Sequence, residues 1–154
     1  MATGVADVSD IETKAPYDLK KGAEQLQCVV VTPERRVLDE VVDFVALPLY
    51  DGELGVLPGR APLIARLGFG ELRLRSGTAV SRYFVDGGFA QVRDDVVTVL
   101  TARAIPVFEI DTVAASKDLE QAHARRGTTD AEQAEKSRAI DRARAQLRVA
   151  SHKG

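Results

Sequence analysis

The rhythm of hydrophobic positions changes twice along this 154-residue chain. From residue 25 to about Phe108, short runs rich in Val, Leu and Phe alternate with turn residues, the pattern of half-buried strands. "LQCVVVT" stops at Pro33 and "VVDFVALP" stops at Pro48. In "GELRLR" (70–75) Leu72 and Leu74 point one way while Glu71, Arg73 and Arg75 point the other. "SGT" (76–78) reads as a hairpin turn into "AVSRYFVD", "DGG" (86–88) as a turn into "FAQVR", and Asp94-Asp95 as a turn into "VVTVL". Roughly eight to ten strands in so short a span cannot share one flat sheet with a protected core, so the pattern predicts a sandwich or flattened barrel over 25–109.

Beyond Asp111 the period becomes helical. "DTVAASKDLEQAHARR" has Asp111 or Thr112 as N-cap and bases toward its end. "GTTD" (127–130) stops that helix and caps the next, "DAEQAEKSRAIDRARAQLRVAS", which has acids early and bases late. Two helices joined by so short a turn predict an antiparallel hairpin over 110–154. Its inward residues are mostly alanine, which packs closely but buries little area, so the hairpin is expected to dock weakly. The fold class is therefore mainly β plus α. Residues 1–24 lack either period and read as a flexible N-terminal extension.

One segment fits neither element type. "YDGELGVLPGRAPLI" (50–64) mixes three glycines and two prolines with Leu, Val and Ile, too many breakers for a strand and too many apolar residues for an idle loop. Such a segment is suited to touching something.

Composition narrows the classes. At 45% hydrophobic and 29% charged, with a formal net charge of -2, the chain reads as soluble and globular, and its overall field does not favour nucleic acid or anionic lipid. Cys28 is the single cysteine, which excludes an internal disulfide framework, and His123 and His152 do not suggest a metal centre. Neither end carries a long apolar run, so no signal peptide or spanning helix is expected and any membrane link runs through a partner.

Catalytic patterns are absent: no phosphate-binding glycine loop, nucleophile elbow or HExxH occurs. Asp51 with Glu53, and Asp94 with Asp95, sit beside turns where Asp serves the backbone. Cys28 reads as a small core residue and His123 as a surface or helix contact. No catalytic residue, cofactor or metal ligand is expected. Between Lys136 and Lys153 six bases face one acid, a lopsided helix surface suited to an acidic partner. With no Trp and only three Tyr, a sugar-stacking platform is not expected. The residues describe a binding module.

The strings "VVVTPERRVL", "DGELGVLPGRAPLIARLGFGELRLR", "YFVDGGFAQVRDDVVTVLTARA" and "EID", followed by an Ala-rich hairpin ending in "AQLRV", resemble the epsilon subunit of bacterial F-type ATP synthase. The resemblance runs from about Leu26 to Val149 and leaves out residues 1–24. It implies a ten-stranded β-sandwich with a helical hairpin, and a non-catalytic rotor subunit of the central stalk. That subunit would be bound to gamma, seated on the polar loops of the c-ring, and peripheral at the cytoplasmic face of the bacterial inner membrane. It assigns the gamma and c-ring interface to Thr32, Glu53, Leu54, Gly55, Val56, Leu57, Arg60, Ala61 and Pro62. It also implies that the hairpin can swing alongside gamma and inhibit hydrolysis, with Arg138, Arg142, Arg144 and Arg148 meeting an acidic loop of the alpha/beta head.

Two departures alter that picture. Arg60 stands where the family usually has His, which replaces a titratable group by a permanent charge. Some members bind ATP through an I/L-D-x-x-R-A motif; Ile110–Ala115 matches it except that Ala114 replaces the arginine. "IDRARA" (140–145) fits the same pattern but lies in the second helix. The alternative function, a nucleotide-sensing module that binds ATP on the hairpin, depends on that motif.

Overall fold

The computed structural model describes residues 25–152; the expectation for 1–24 lies outside them. The described residues form eight strands: β1 (Leu26–Val31), β2 (Arg36–Val42), β3 (Phe44–Leu49), β4 (Gly52–Val56), β5 (Leu63–Ser76), β6 (Ala79–Arg93), β7 (Val96–Leu100) and β8 (Ala104–Pro106). A 3-10 turn at Val107–Glu109 leads to helices α1 (Thr112–Ala124) and α2 (Asp130–Ser151).

The strands form one mixed sheet in the order β2-β1-β7-β6-β5-β3-β4, with β8 paired to β6. Among the described residues only β1 and β7 pair in parallel. Leu26, Cys28 and Val30 of β1 share a single buried cluster with Val45 and Leu47 of β3 and Leu72 and Leu74 of β5. Contact between strands so far apart in sheet order requires the sheet to fold over on itself, which is the sandwich the alternation predicted. Each fully buried Leu or Val contributes roughly 1.5–3 kcal/mol relative to exposure.

The strand count corrects the expectation of ten. β5 and β6 run 14 and 15 residues without interruption and serve both halves of the folded sheet. The "DGG" at 86–88 is thus a kink inside β6 and not a turn between strands. Before it, Tyr83–Val85 pair with β8; after it, Phe89–Arg93 pair with β7. Gly88 makes the kink possible, with φ +104 and a backbone so close to β7 that a Cβ would lie 1.9 Å from the Leu100 carbonyl oxygen. A second correction concerns "VVDFVALP". It divides at Asp43 into β2 and β3, and β3 continues through Pro48 to Leu49. Pro48 sits where the β3–β5 register shifts between Ala46 and Leu49, while on the other side it keeps Glu53 of β4 as its register partner.

The helix signals fall where the caps placed them. The Asp111 carboxylate accepts from the Ala114 N–H at 3.0 Å, and the Thr129 hydroxyl accepts from the Glu132 N–H at 3.1 Å. α1 ends at Ala124, two residues before the sequence pattern did. Ala115 and Ala122 of α1 and Ala143 of α2 are buried, and the two helices pack on one another. A second buried cluster, Phe84 with Ala145 and Val149, joins α2 to the sheet.

A docking loop and a helix–sheet seam as candidate interaction sites

The breaker-rich segment begins as edge strand β4, paired with β3, and leaves it as a loop at 57–62. Its residues divide by burial. Val56 is fully buried and Leu54 packs against the main core, so both anchor the segment. Leu57 is 56% exposed, and Arg60, Ala61 and Pro62 project with it into solvent. Gly55 lies under the Phe44 ring, where a Cβ would meet Cε1 at 3.0 Å. Glu53 is exposed on β4, 3.5 Å from Arg73, which also approaches Glu71 at 3.6 Å. The loop is held shut by an Arg60 N–H bond to the Leu57 carbonyl at 3.3 Å and by the Gly59 N–H, which donates to Asp95 at 2.7 Å.

Thr32 is not brought to this loop. It lies past the far end of β1, where its N–H and hydroxyl both donate to the Arg35 carbonyl, at 2.9 and 3.1 Å. The loop meets the opposite end of β7, at Asp95, so the two are separated by roughly the length of a five-residue strand, about 15 Å.

Sequence reasoning missed a set of exposed apolar side chains on the sheet, which runs from Ile64, just past the loop, to Leu100 at the Thr32 end of β7. Ile64 is 74% exposed, and Phe89 and Leu100 are more than half exposed. Phe89 and Leu100 are direct cross-strand partners, while Ile64 lies opposite Gln91, next outward along β6. The signal was present in "FAQVR": with Ala90 and Val92 inward, Phe89 must face outward.

The helix–sheet seam gathers arginines. Arg142 Nε on α2 donates to Asp86 Oδ1 at 3.0 Å, and its guanidinium lies 5.2 Å from the centre of the Phe69 ring. In the other direction, Arg82 of β6 reaches the Val149 carbonyl of α2 at 3.2 Å while bonding to Glu71. His152 Nδ1 lies 3.5 Å from the same Glu71. Arg138, Arg142, Arg144 and Arg148 all line one open groove of about 1030 Å³ between α2 and the sheet. Across it, Arg66 lies over the Tyr50 ring at 4.4 Å. Arg138 also approaches Glu135, one turn earlier, at 3.8 Å.

The remaining candidates have structural places. Asp94 and Asp95 form the β6–β7 turn, both at positive φ. Cys28 is fully buried, and burial together with the nearby Glu40 and Asp39 pushes its thiol pKa far up, leaving it unreactive. His123 is exposed near the end of α1. Among the described residues no cluster of metal-ligating side chains occurs, and no helix is long and apolar enough to cross a membrane.

Known proteins give the frame for these surfaces. A family model described as the ATP synthase Delta/Epsilon chain, beta-sandwich domain, matches residues 25–107. The ATP synthase epsilon chain of Rhodopirellula baltica is 57% identical over 124 residues, covering 80% of this chain and 97% of that one. That of Syntrophobacter fumaroxidans is 40% identical, covering 83% and 97%. Among solved structures, a chain of the Euglena gracilis mitochondrial ATP synthase, seen with OSCP, F1 and the c-ring, superposes with a TM-score of 0.74 at 29% identity, covering 84% and 82%. A chain from the central stalk and c-ring of the Tetrahymena thermophila mitochondrial enzyme has the same fold, with a TM-score of 0.67 at 13% identity, covering 82% and 96%. Family model, relatives and fold agree: this chain belongs to the epsilon-chain family of ATP synthase.

Proposed function

We propose that the chain is a non-catalytic rotor subunit that couples c-ring rotation through gamma to ATP synthesis, held peripherally at the cytoplasmic face of the bacterial inner membrane. The observation that carries this reading is the anchored, pre-shaped loop at 57–62 together with the exposed apolar side chains Leu57, Ile64, Phe89 and Leu100. A loop already fixed by Val56, Pro58, Pro62 and the Gly59–Asp95 bond loses little entropy on docking, and exposed large apolar side chains are suited to a protein partner. Gamma and the polar loops of the c-ring are the partners this surface would take.

Two units divide the work: a sandwich over 25–109 that binds the rotor, and an antiparallel hairpin over 110–154 that regulates. In the docked position, Arg142 is already engaged by Asp86. The hairpin would therefore have to leave the sandwich before its full arginine stripe could meet an acidic loop of the alpha/beta head and slow hydrolysis. The arginine-lined groove also favours a second reading, ATP held between hairpin and sandwich, although Ala114 removes the motif arginine. Calorimetric titration of ATP into the isolated protein separates the two, since micromolar-range binding would establish nucleotide sensing.

The main reading is tested by adding the full chain, or a version ending at Ile110, to an epsilon-depleted ATP synthase catalytic head. Both are expected to bind gamma, and the full chain alone is expected to slow ATP hydrolysis. Failure of both to bind would overturn the rotor assignment. Equal effects of the two would remove the inhibitory role from the hairpin.

A further inference from the structure

Asp86 has two arginine partners that belong to different parts of the molecule. Arg142 comes from α2, with Nε at 3.0 Å from Oδ1. Arg103 comes from the sandwich, with Nε at 3.6 Å from Oδ2. The Asp86 side chain is only 8% exposed, against 32% for Arg142 and 52% for Arg103. The backbone fixes Arg103 in place, because the Asp86 N–H donates to the Arg103 carbonyl at 3.1 Å and to the Thr101 hydroxyl at 3.1 Å. Phe69, directly opposite Asp86 across β5 and β6, supplies the ring on which Arg142 rests.

We propose that Asp86 is a releasable latch for the helix pair, closed by Arg142 and kept releasable by Arg103, which remains as the carboxylate's counterion when α2 lifts away. This rests on the reading of the helix pair as a movable regulatory unit. When α2 lifts away the carboxylate loses its closer cation, and the loss of an ion-pair partner by a poorly exposed charge costs stability. Arg103 removes that penalty. It also places a second positive charge beside Arg142, so three charged groups share a site with a net charge of +1 and the two guanidiniums compete. The apolar part of the seam has three buried residues, Phe84, Ala145 and Val149, with Phe69, Ile105, Val107 and Ile110 partly buried against them, and an open groove of about 1030 Å³ flanks it. Beside the Arg82 bond to the Val149 carbonyl and the approach of His152 to Glu71, the Asp86–Arg142 pair is the seam's closest side-chain ion pair from α2, and docking is expected to respond to it. The two arginines have opposite effects: removing Arg142 frees the helices, while removing Arg103 tightens them.

Thiol labelling of the full chain separates these effects. Ala145 is 2% exposed in the seam, so a thiol in an Ala145→Cys background reacts only when α2 lifts. Native Cys28, 0% exposed in the main core, reacts only when the sandwich opens and serves as the internal control. Asp86→Asn and Arg142→Gln are each expected to speed labelling at position 145 by about fivefold or more, with labelling of Cys28 unchanged. Arg103→Gln is expected to slow it by about two- to fivefold. If Arg142→Gln leaves the rate at 145 unchanged, or speeds both thiols equally, the latch is overturned. If Arg103→Gln leaves the rate unchanged or raises it, the competing role of Arg103 is overturned. A thiol at 145 that labels only as fast as Cys28 would instead overturn the movable helix pair, a different failure from that of the latch.

Discussion

The Gly59 N–H donates to the Asp95 carboxylate at 2.7 Å, tying the loop at 57–62 to the β6–β7 turn across 36 residues of chain. Asp94 and Asp95 have φ of 51° and 62°, the left-handed pair of a two-residue hairpin turn. One side chain thus serves two structures. Asp95→Asn keeps both an acceptor and tolerance for that backbone, and is expected to change stability by less than about 0.5 kcal/mol. Asp95→Ala loses both and is expected to cost about 1–2 kcal/mol in denaturant unfolding. It is also expected to speed amide exchange at Gly59, and unchanged exchange there would mean that the bond does not hold the loop.

Gly88 and Gly77 both have positive φ, yet their substitutions are expected to differ sharply. At Gly77 a Cβ would meet nothing within 4 Å, so Gly77→Ala carries only the backbone penalty of about 1 kcal/mol. At Gly88 the Leu100 carbonyl oxygen occupies the place of the Cβ. Gly88→Ala must break the β6 kink, and a loss of more than about 3 kcal/mol, or failure to fold, is expected in a chemical melt.

Phe84 is fully buried where the sandwich meets α2, against Ala145 and Val149. Phe84→Ala is expected to cost about 3–5 kcal/mol by opening a cavity. Val149→Ala is expected to cost about 1–2 kcal/mol, mainly by weakening helix docking. Hydrogen exchange should therefore rise across 143–149 in both variants, but across β6 only in the Phe84 variant.

Acid sensitivity should depend in part on Asp43. Its carboxylate accepts from the Gly77 N–H at 2.6 Å and from Gln25 at 3.3 Å, and these bonds, with the Arg75 charge, hold its pKa below the ordinary value. A carboxyl with a lowered folded pKa stabilises the fold above its unfolded pKa. That contribution is lost as pH falls below about 4, through the folded value. Asp43→Asn should flatten the acid limb of a stability–pH profile and leave its slope near neutral pH unchanged. An acid limb identical to that of the unsubstituted protein would exclude Asp43 as a contributor.

The chain by itself determined what depends on neighbours in sequence. Alternation in "GELRLR" set Leu72 and Leu74 inward, Asp111 and Thr129 capped their helices, and the Asp94-Asp95 pair made its turn, since period and caps are local properties. The breakers of the 50–64 segment also marked the loop at 57–62, though not the exposed apolar side chains Ile64, Phe89 and Leu100 on the sheet. Only the tertiary structure decided where local signals are ambiguous. "DGG" is compatible with a turn or a kink, and the choice was made by β7, whose Leu100 carbonyl packs on Gly88. That choice, with the uninterrupted run of β5, leaves eight strands among the described residues where ten were expected. The helix surface read as a uniform basic stripe, yet Arg142 differs from its neighbours because folding brings Asp86, 56 residues earlier, within 3.0 Å of it. No periodicity encodes such a pair, because charge partners across a folded interface are set by packing and not by spacing along the chain.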